Sequence, residues 1–515
     1  MPDTSDRKTA IVGPEDGQYT TLDEAIDSVE EFTTIYLSEG VYTIKNTIRK
    51  RGLVFERLDN HKQVFIIGNE GPTIGIELSH DDFVVFKKIV FMHSGASVSR
   101  KFREAAPYEP RYSTEVGNKL IREFEIDREM DCIFMIESGG VILRDCTLSL
   151  NSLPKHLKSK YACIVTMPKS FINITSCQVI GNLLNNCAAG IFLNSHVFIS
   201  DCDFYNFKSG CMYSLGRPHS MVCISDSTIH DCCIIGIYCQ GQAAQQQLVR
   251  LKLTNIQGKG IHIGMGNMAK IKGCEIRQTN TAIEVISAQP TIMMCTLENN
   301  NETGIISMTK FGLRCDAKIK YSTIQRNKEF GVIVTGANNF TRIEKNLAIS
   351  ENTKAGIKVE NDAYASIVQN KIEQNFAQGI LITESTYAHI EANTIAKNYK
   401  ANIALGGPKA SDCVILKNQI LSSRQEGVFM IEVGFCWLIR NTISDNADGV
   451  VMFDSNPNIE NNQINNNMRA GIVCTGASFP KVTGNSIFGN HQTGINFRDN
   501  SIGSLVGNKI FKNYY

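Results

Sequence analysis

The sequence predicts an all-β chain: a single right-handed parallel β-helix, a solenoid of about 23 residues per coil with an N-terminal capping helix. Three observations predict it. The motif Asn-x-Ile-x-x-Asn, as in "NKIEQN", "NTIAKN" and "NKIFKN", begins at Asn370, Asn393, Asn418, Asn441, Asn462, Asn485 and Asn508, in steps of 21 to 25 residues. A Gly-hydrophobic pair follows most copies, as at Gly356-Ile357, Gly379-Ile380 and Gly471-Ile472. Between these marks lie short runs such as "GIKVE" and "KIE", whose period of two is that of strands and which leave no room for a ten-residue helix.

Each element has a local reason. Asn suits a tight corner because it tolerates left-handed backbone, and stacked amides can hydrogen-bond from coil to coil. Ser423 replaces the second Asn once, and Asn402 replaces Gly once. Upstream, the row continues in other small residues: Cys146, Cys177, Cys202, Ser227, Cys274, Cys295 and Ser322 each stand two before an apolar residue. Many of the 17 cysteines therefore read as architecture. A leucine-rich repeat has a similar period, but its Leu-x-x-Leu-x-Leu pattern does not recur.

Residues 1–60 form a cap in this reading. Thr21 and Glu24 have capping-box spacing, and Leu22, Ala25, Ile26 and Val29 share one helical face. Residues 61–130 hold the first coils and a charged insertion near 97–130, read as a solvated loop or a partner-binding arm. Residues 131–515 are regular coils, interrupted by "QGQAAQQQ" at 240–247, expected as a flexible loop tip.

The run Gly17, Tyr19, Thr21, Leu22, Glu24, Ala25, Ile26, then Ile35, Leu37, Gly40 and Tyr42, resembles the opening of pectinesterase-like and other parallel β-helix chains. With the Gly-Ile and Asn-x-Ile coils behind it, nearly the whole chain resembles the intracellular parallel β-helix repeat proteins. These include the SHC SH2-domain-binding-protein type and the carbohydrate-binding and sugar-hydrolase repeat module found beside F-boxes. The resemblance implies a fold more than an activity, because the same coils serve enzymes and scaffolds. No F-box-like helical module precedes the coils in this sequence, so it implies no ubiquitin-ligase role.

Composition narrows the partners. Fifty-two basic residues against 51 acidic argue against a nucleic-acid binder driven by phosphate neutralisation. No 18-residue apolar run and no signal-peptide pattern occur, so neither a membrane span nor export is expected. An odd cysteine count without Cys-x-x-Cys suggests reduced thiols and a cytoplasmic setting.

Acid–base chemistry on a β-helix needs carboxylates stacked in a row on neighbouring coils. Five residues after each Gly the row reads Asn361, Glu384, Gly407, Glu432, Asp454, Gly476 and Asp499; Glu432 and Asp454 are its best acidic pair. The Gly-His-Gly and Asp-Asp arrangements of polygalacturonases are absent, as is the Asp-Pro-His-Glu run of alginate epimerases. The stacked Asp, Asp and Arg of pectinesterases cannot be placed. Cys223, His230, Cys232, Cys233 and Cys239 crowd together but match no zinc spacing, so neither a metal nor another cofactor is expected.

The residues two after each Gly face outward and are largely apolar: Ile306, Ile333, Leu381, Phe429, Val451 and Val473, with Phe192, Tyr238, His262 and Glu284 upstream. Such a strip, together with Tyr514 and Tyr515 after the last motif, reads as a protein-binding flank and tip. The sequence is therefore read as a non-catalytic scaffold that binds other proteins within a larger assembly, of which a cytoskeletal or ciliary one is the natural example. The alternative is a polyuronide lyase, hydrolase or epimerase, or a glycan-binding module, centred on Glu432 and Asp454.

Overall fold

A computed structural model of the 515-residue chain describes residues 7–15, 17–69, 71–95, 131–151, 161–184, 188–216, 220–384, 387–408 and 410–514. The charged insertion near 97–130 and Tyr515 lie outside the described residues. The fold is an all-β parallel solenoid of about 19 turns with one helix among the described residues. The chain divides into two compact units, 1–261 and 262–515.

In the first unit the helix Leu22–Ser28 starts at Thr21, whose side chain accepts from the Glu24 amide at 3.3 Å and fills one orphan donor of the first turn. The reciprocal half of the box does not form; the Glu24 carboxylate accepts from Thr20 Oγ1 instead. Leu22, Ala25 and Ile26 are buried, as the helical face requires. The coils begin with Thr9–Val12 paired in parallel to Thr34–Leu37, which pairs to Val54–Arg57. Large side chains fill this interior, with Phe55 stacked on Phe86 at 4.8 Å. The small-residue row is a hydrogen-bonded column: the Cys146 amide donates to Cys177 Sγ and the Cys202 amide to Ser227 Oγ. The glutamine-rich stretch is no free loop tip. Ala244 and Gln246 are buried, and Gln246 Nε2 donates to Ser214 Oγ.

The second unit shows what the Asn motif is for. Its Ile residues stack inward in register, Ile349, Ile372, Ile395, Ile420, Ile443, Ile464 and Ile487, all fully buried. On either side of them runs an amide ladder. The backbone N–H and Nδ2 of Asn370 both donate to Asn393 Oδ1, at 2.8 and 3.0 Å, and Nδ2 also donates to the Ile343 carbonyl. The same pattern recurs through Asn418, Asn441, Asn462 and Asn485. The second ladder runs from Asn327 through Asn352, Asn375 and Asn398, and again from Asn446 through Asn467 and Asn490. A buried amide without such partners would cost about 1–3 kcal/mol, so the ladders fix both register and coil length.

One expectation is corrected in detail. The ladder asparagines do not take the left-handed backbone; the residue before each one does. Gln369, Ala392, Lys417, Arg440 and Asn461 precede the first ladder, and Gln374, Lys397, Ser422, Asp445 and Asn466 the second, all with φ between 54° and 60°. The turn points that side chain to solvent and leaves the Asn facing in. A non-glycine residue there costs roughly 1–2 kcal/mol, which the ladder bonds offset.

The exceptional coil is explained by the same geometry. A Cβ on Gly356 would lie 2.8 Å from Asn375 Nδ2, and one on Gly427 would lie 2.8 Å from Asn446 Nδ2. Each glycine is therefore required by the amide of the next coil. At Asn402 the following coil carries Ser423, whose short side chain vacates that space. The Asn402 amide fills it: Asn398 Nδ2 donates to Asn402 Oδ1 at 2.8 Å, and Asn402 Nδ2 donates to Asn446 Oδ1 at 3.2 Å. The ladder continues through a residue borrowed from the glycine position.

Candidate functional site

The side chains with the chemistry of an acid–base site lie on one sheet face of the second unit. Strands Phe340–Glu344, Tyr364–Val368, Tyr387–Glu391, Cys413–Leu416 and Cys436–Ile439 pair in parallel. Alternate residues of a strand share a face, so Tyr387, His389 and Glu391 all point outward while Ala388 and Ile390 fill the core. His389 Nε2 donates to Glu391 Oε2 at 3.0 Å, and Lys417 Nζ stands 3.7 Å from Glu391 Oε1. The hydrogen bond from His389 is the main cause holding the Glu391 carboxyl below the usual carboxylate range, with the charges of His389 and Lys417 acting the same way. With Nε2 donating, Nδ1 carries the lone pair of the neutral ring.

Register sets the surroundings. His389 lies in line with Ser366 and Arg342 on one side and with Val414 and Trp437 on the other. Trp437 is the single tryptophan of the chain and is half-buried here. Tyr387 stacks on Tyr364 at 4.9 Å and 4°, and Tyr364 leans on Phe340 at 5.7 Å. Arg342 meets Asp316 at 3.2 Å, and the Arg314 guanidinium lies 4.9 Å over the Phe340 ring. The face thus joins an ionised carboxylate, an imidazole, cations and ring edges, with both His389 and Glu391 reachable from solvent.

The sequence-predicted residues lie elsewhere. Glu432 and Asp454 sit on adjoining coils, and each occupies a left-handed corner, φ 54° and 47°. Asp454 Oδ1 accepts the Ala477 amide at 2.6 Å, so this carboxylate ties one coil to the next. Ile306, Ile333, Leu381, Phe429, Val451 and Val473 form one column in register. The column is half-buried, with Val473 buried outright, while Tyr514 is 66% exposed. At the start of this column in the second unit, His262 Nδ1 and Glu284 Oε2 meet at 2.7 Å with both side chains buried. In the first unit Phe192 stacks on Tyr213 at 5.0 Å, and Tyr213 lies 6.0 Å from Tyr238. The His230 ring stacks on Tyr205 and lies between Asp231 at 2.6 Å and Asp203 at 3.3 Å, while its carbonyl accepts from Cys232 Sγ at 3.4 Å.

Sequence reasoning did not single out His389 and Glu391. Their signal was the alternation in "YAHIE", which places Tyr, His and Glu on one strand face. What it lacked was register, since coil lengths vary and the neighbours on adjoining coils follow only from the pairing.

Residues 306–437 and 408–515 match the family model of the right-handed β-helix region. No curated protein matches the chain by sequence. Among solved structures, the mannuronan C-5 epimerase AlgE6 A-module of Azotobacter vinelandii matches over 73% of this chain and 91% of its own, at 10% identity and a TM-score of 0.34. The periplasmic alginate epimerase AlgG covers 72% and 77%, at 9% identity and 0.33. The pectin methylesterase PemA of Erwinia chrysanthemi covers 56% and 79%, at 11% and 0.22. These matches are to carbohydrate-active proteins, and the expectation of a non-catalytic scaffold is corrected accordingly. The flank row on which that expectation rested is also half-buried rather than an open apolar ribbon. At such identities and scores the neighbours transfer no residue roles. The match to the right-handed β-helix region spans residues 306–515, and the parallel coil-to-coil pairing extends through the described coils before it.

Proposed function

We propose that the chain is carbohydrate-active: it lays a glycan along the face that carries His389 and performs acid–base chemistry on it there. The observation that carries this reading is the His389–Glu391 pair, hydrogen-bonded at 3.0 Å and open to solvent, on the same face as Trp437, Tyr364, Tyr387 and Arg342. Glu391 orients the imidazole through its hydrogen bond with Nε2, and Nδ1 is the atom that takes or returns a proton. Trp437 and the tyrosine hydroxyls supply the mixed apolar and hydrogen-bonding contacts that sugar rings need. Of the family resemblances, the carbohydrate-binding and sugar-hydrolase repeat module agrees best with this face.

The test is turnover. Alginate, pectate, xylan and cellulose oligosaccharides are incubated with the purified chain in D2O, and products and proton exchange are followed by NMR. Activity on at least one of them, lost in His389→Gln and kept in Glu432→Gln, is the expected result. Undiminished turnover in His389→Gln, or turnover abolished by Glu432→Gln alone, overturns the assignment.

A further inference from the structure

We infer that the glycan taken by this face is acidic: an extended polysaccharide whose same-side negative charges recur once per disaccharide. The inference rests on the reading of the face as glycan-binding and adds the substrate class. Strand Lys270–Lys272 presents Lys270 and Lys272 outward around the buried Ile271. Strand Thr291–Met293 pairs with it in register, Thr291 to Lys270 and Met293 to Lys272. Strand Lys318–Lys320 follows, with Lys318 opposite Thr291 and Lys320 opposite Met293. Two pairs of lysines are thus separated by one uncharged strand, Thr291–Met293. At one strand spacing per coil they recur at roughly 9.6 Å, close to the disaccharide repeat of an extended 1,4-linked glycan.

The row continues from Lys318 to Arg342, Ser366 and His389. Lys318 and His389 are three coils apart, roughly 14 Å. The lysines therefore act as positioning residues, holding charged sugars at a distance from the reacting one. None of the four lysines has an ion-pair partner among the described residues. Some other lysines of this unit are ion-paired, as Lys354 with Glu329 and Lys371 with Glu373, and the four row lysines are set apart by their register rather than by lacking a partner. The chain as a whole is nearly neutral, so the patch is local and not a by-product of composition.

Spacing also favours an acidic glycan over nucleic acid. Duplex DNA carries one charge per about 1.7 Å of axis, far denser than one lysine pair per two coils.

The test compares probes on the full chain by affinity electrophoresis and calorimetry at low salt: polygalacturonate, alginate, neutral xyloglucan, dextran and a 20-base-pair DNA duplex. An acidic glycan should bind at least about tenfold tighter than either neutral polymer. K270Q/K272Q and K318Q/K320Q, checked for folding by circular dichroism, should each lose about that preference and flatten the salt dependence. Neutral binding should be unchanged. Equal binding of acidic and neutral glycans with both variants silent overturns the inference and leaves the proposed function standing. Binding of no glycan sinks both. DNA bound as tightly as the acidic glycan overturns the inference in favour of a nucleic-acid site.

Discussion

The exchange at Asn402 and Ser423 makes a quantitative prediction. In Asn402→Gly, Asn398 Nδ2 loses its 2.8 Å acceptor and keeps only a 3.5 Å contact to the Ile372 carbonyl. Asn446 Oδ1 keeps the Ser423 amide at 2.9 Å but loses the Asn402 amide. One poorly satisfied buried donor costs about 1–3 kcal/mol, and a small void adds to it. Ser423→Asn alone forces a second amide into space already filled by Asn402, an overpacking cost of about 1–3 kcal/mol. The double variant restores the glycine and asparagine of the neighbouring coils, so its stability should fall within about 1 kcal/mol of the starting chain. A solenoid can open coil by coil, so a global midpoint is a poor readout. Native-state hydrogen exchange at the amides of Asn402, Ser423 and Asn446 reports the local opening free energy. Both single variants should exchange faster and the double variant near normally. If the double variant exchanges as fast as the two singles combined, steric exchange does not link the positions and the account of the glycine row fails.

Two further expectations concern titration. Glu391 has a depressed folded pKa, so its contribution is present above the ordinary carboxylate range and fades as pH falls through the folded value. His389→Ala removes the largest cause, and carbon-detected NMR should show Glu391 titrating at higher pH than in the parent; an unchanged midpoint would show that the hydrogen bond does not set it. Burial pushes the Cys239, Cys413 and Cys474 thiols up to about 12. They should resist alkylation at pH 8 in the folded chain and react after denaturation, whereas fast native labelling, read by mass spectrometry, would contradict the packed interior.

Much of the fold could be read from the sequence because its signals are local. Each Asn-x-Ile-x-x-Asn encodes two ladder rungs around one core residue, and each glycine answers a clash with the next coil. The cysteine and serine row was legible for the same reason. What could not be read was which corner residue takes the left-handed backbone, because Gln369, Ala392, Lys397 and Arg440 share no side-chain chemistry. The exchange between Asn402 and Ser423 was visible as two irregularities but not as one. The candidate site was legible only within a strand: "YAHIE" shows the pair, while its alignment with Trp437, Arg342 and the lysines depends on coil lengths that only the pairing fixes. Glu432 and Asp454 were found by counting from glycines, and that count leads to corners.

The amide ladders are one-way. From rung to rung each amide donates to the higher-numbered Asn and accepts from the lower one, with a further Nδ2 bond to a carbonyl of the coil before, so Asn393 Oδ1 serves both the backbone and the side chain of Asn370, while Asn393 itself leans on Asn418. Truncating Asn393 strands the Asn370 backbone N–H and leaves Asn370 Nδ2 with its carbonyl acceptors alone, but on the coil after it only frees an acceptor. Injury in this chain therefore spreads backward, toward the N-terminus, and the tolerance of any coil to change is governed by its predecessor.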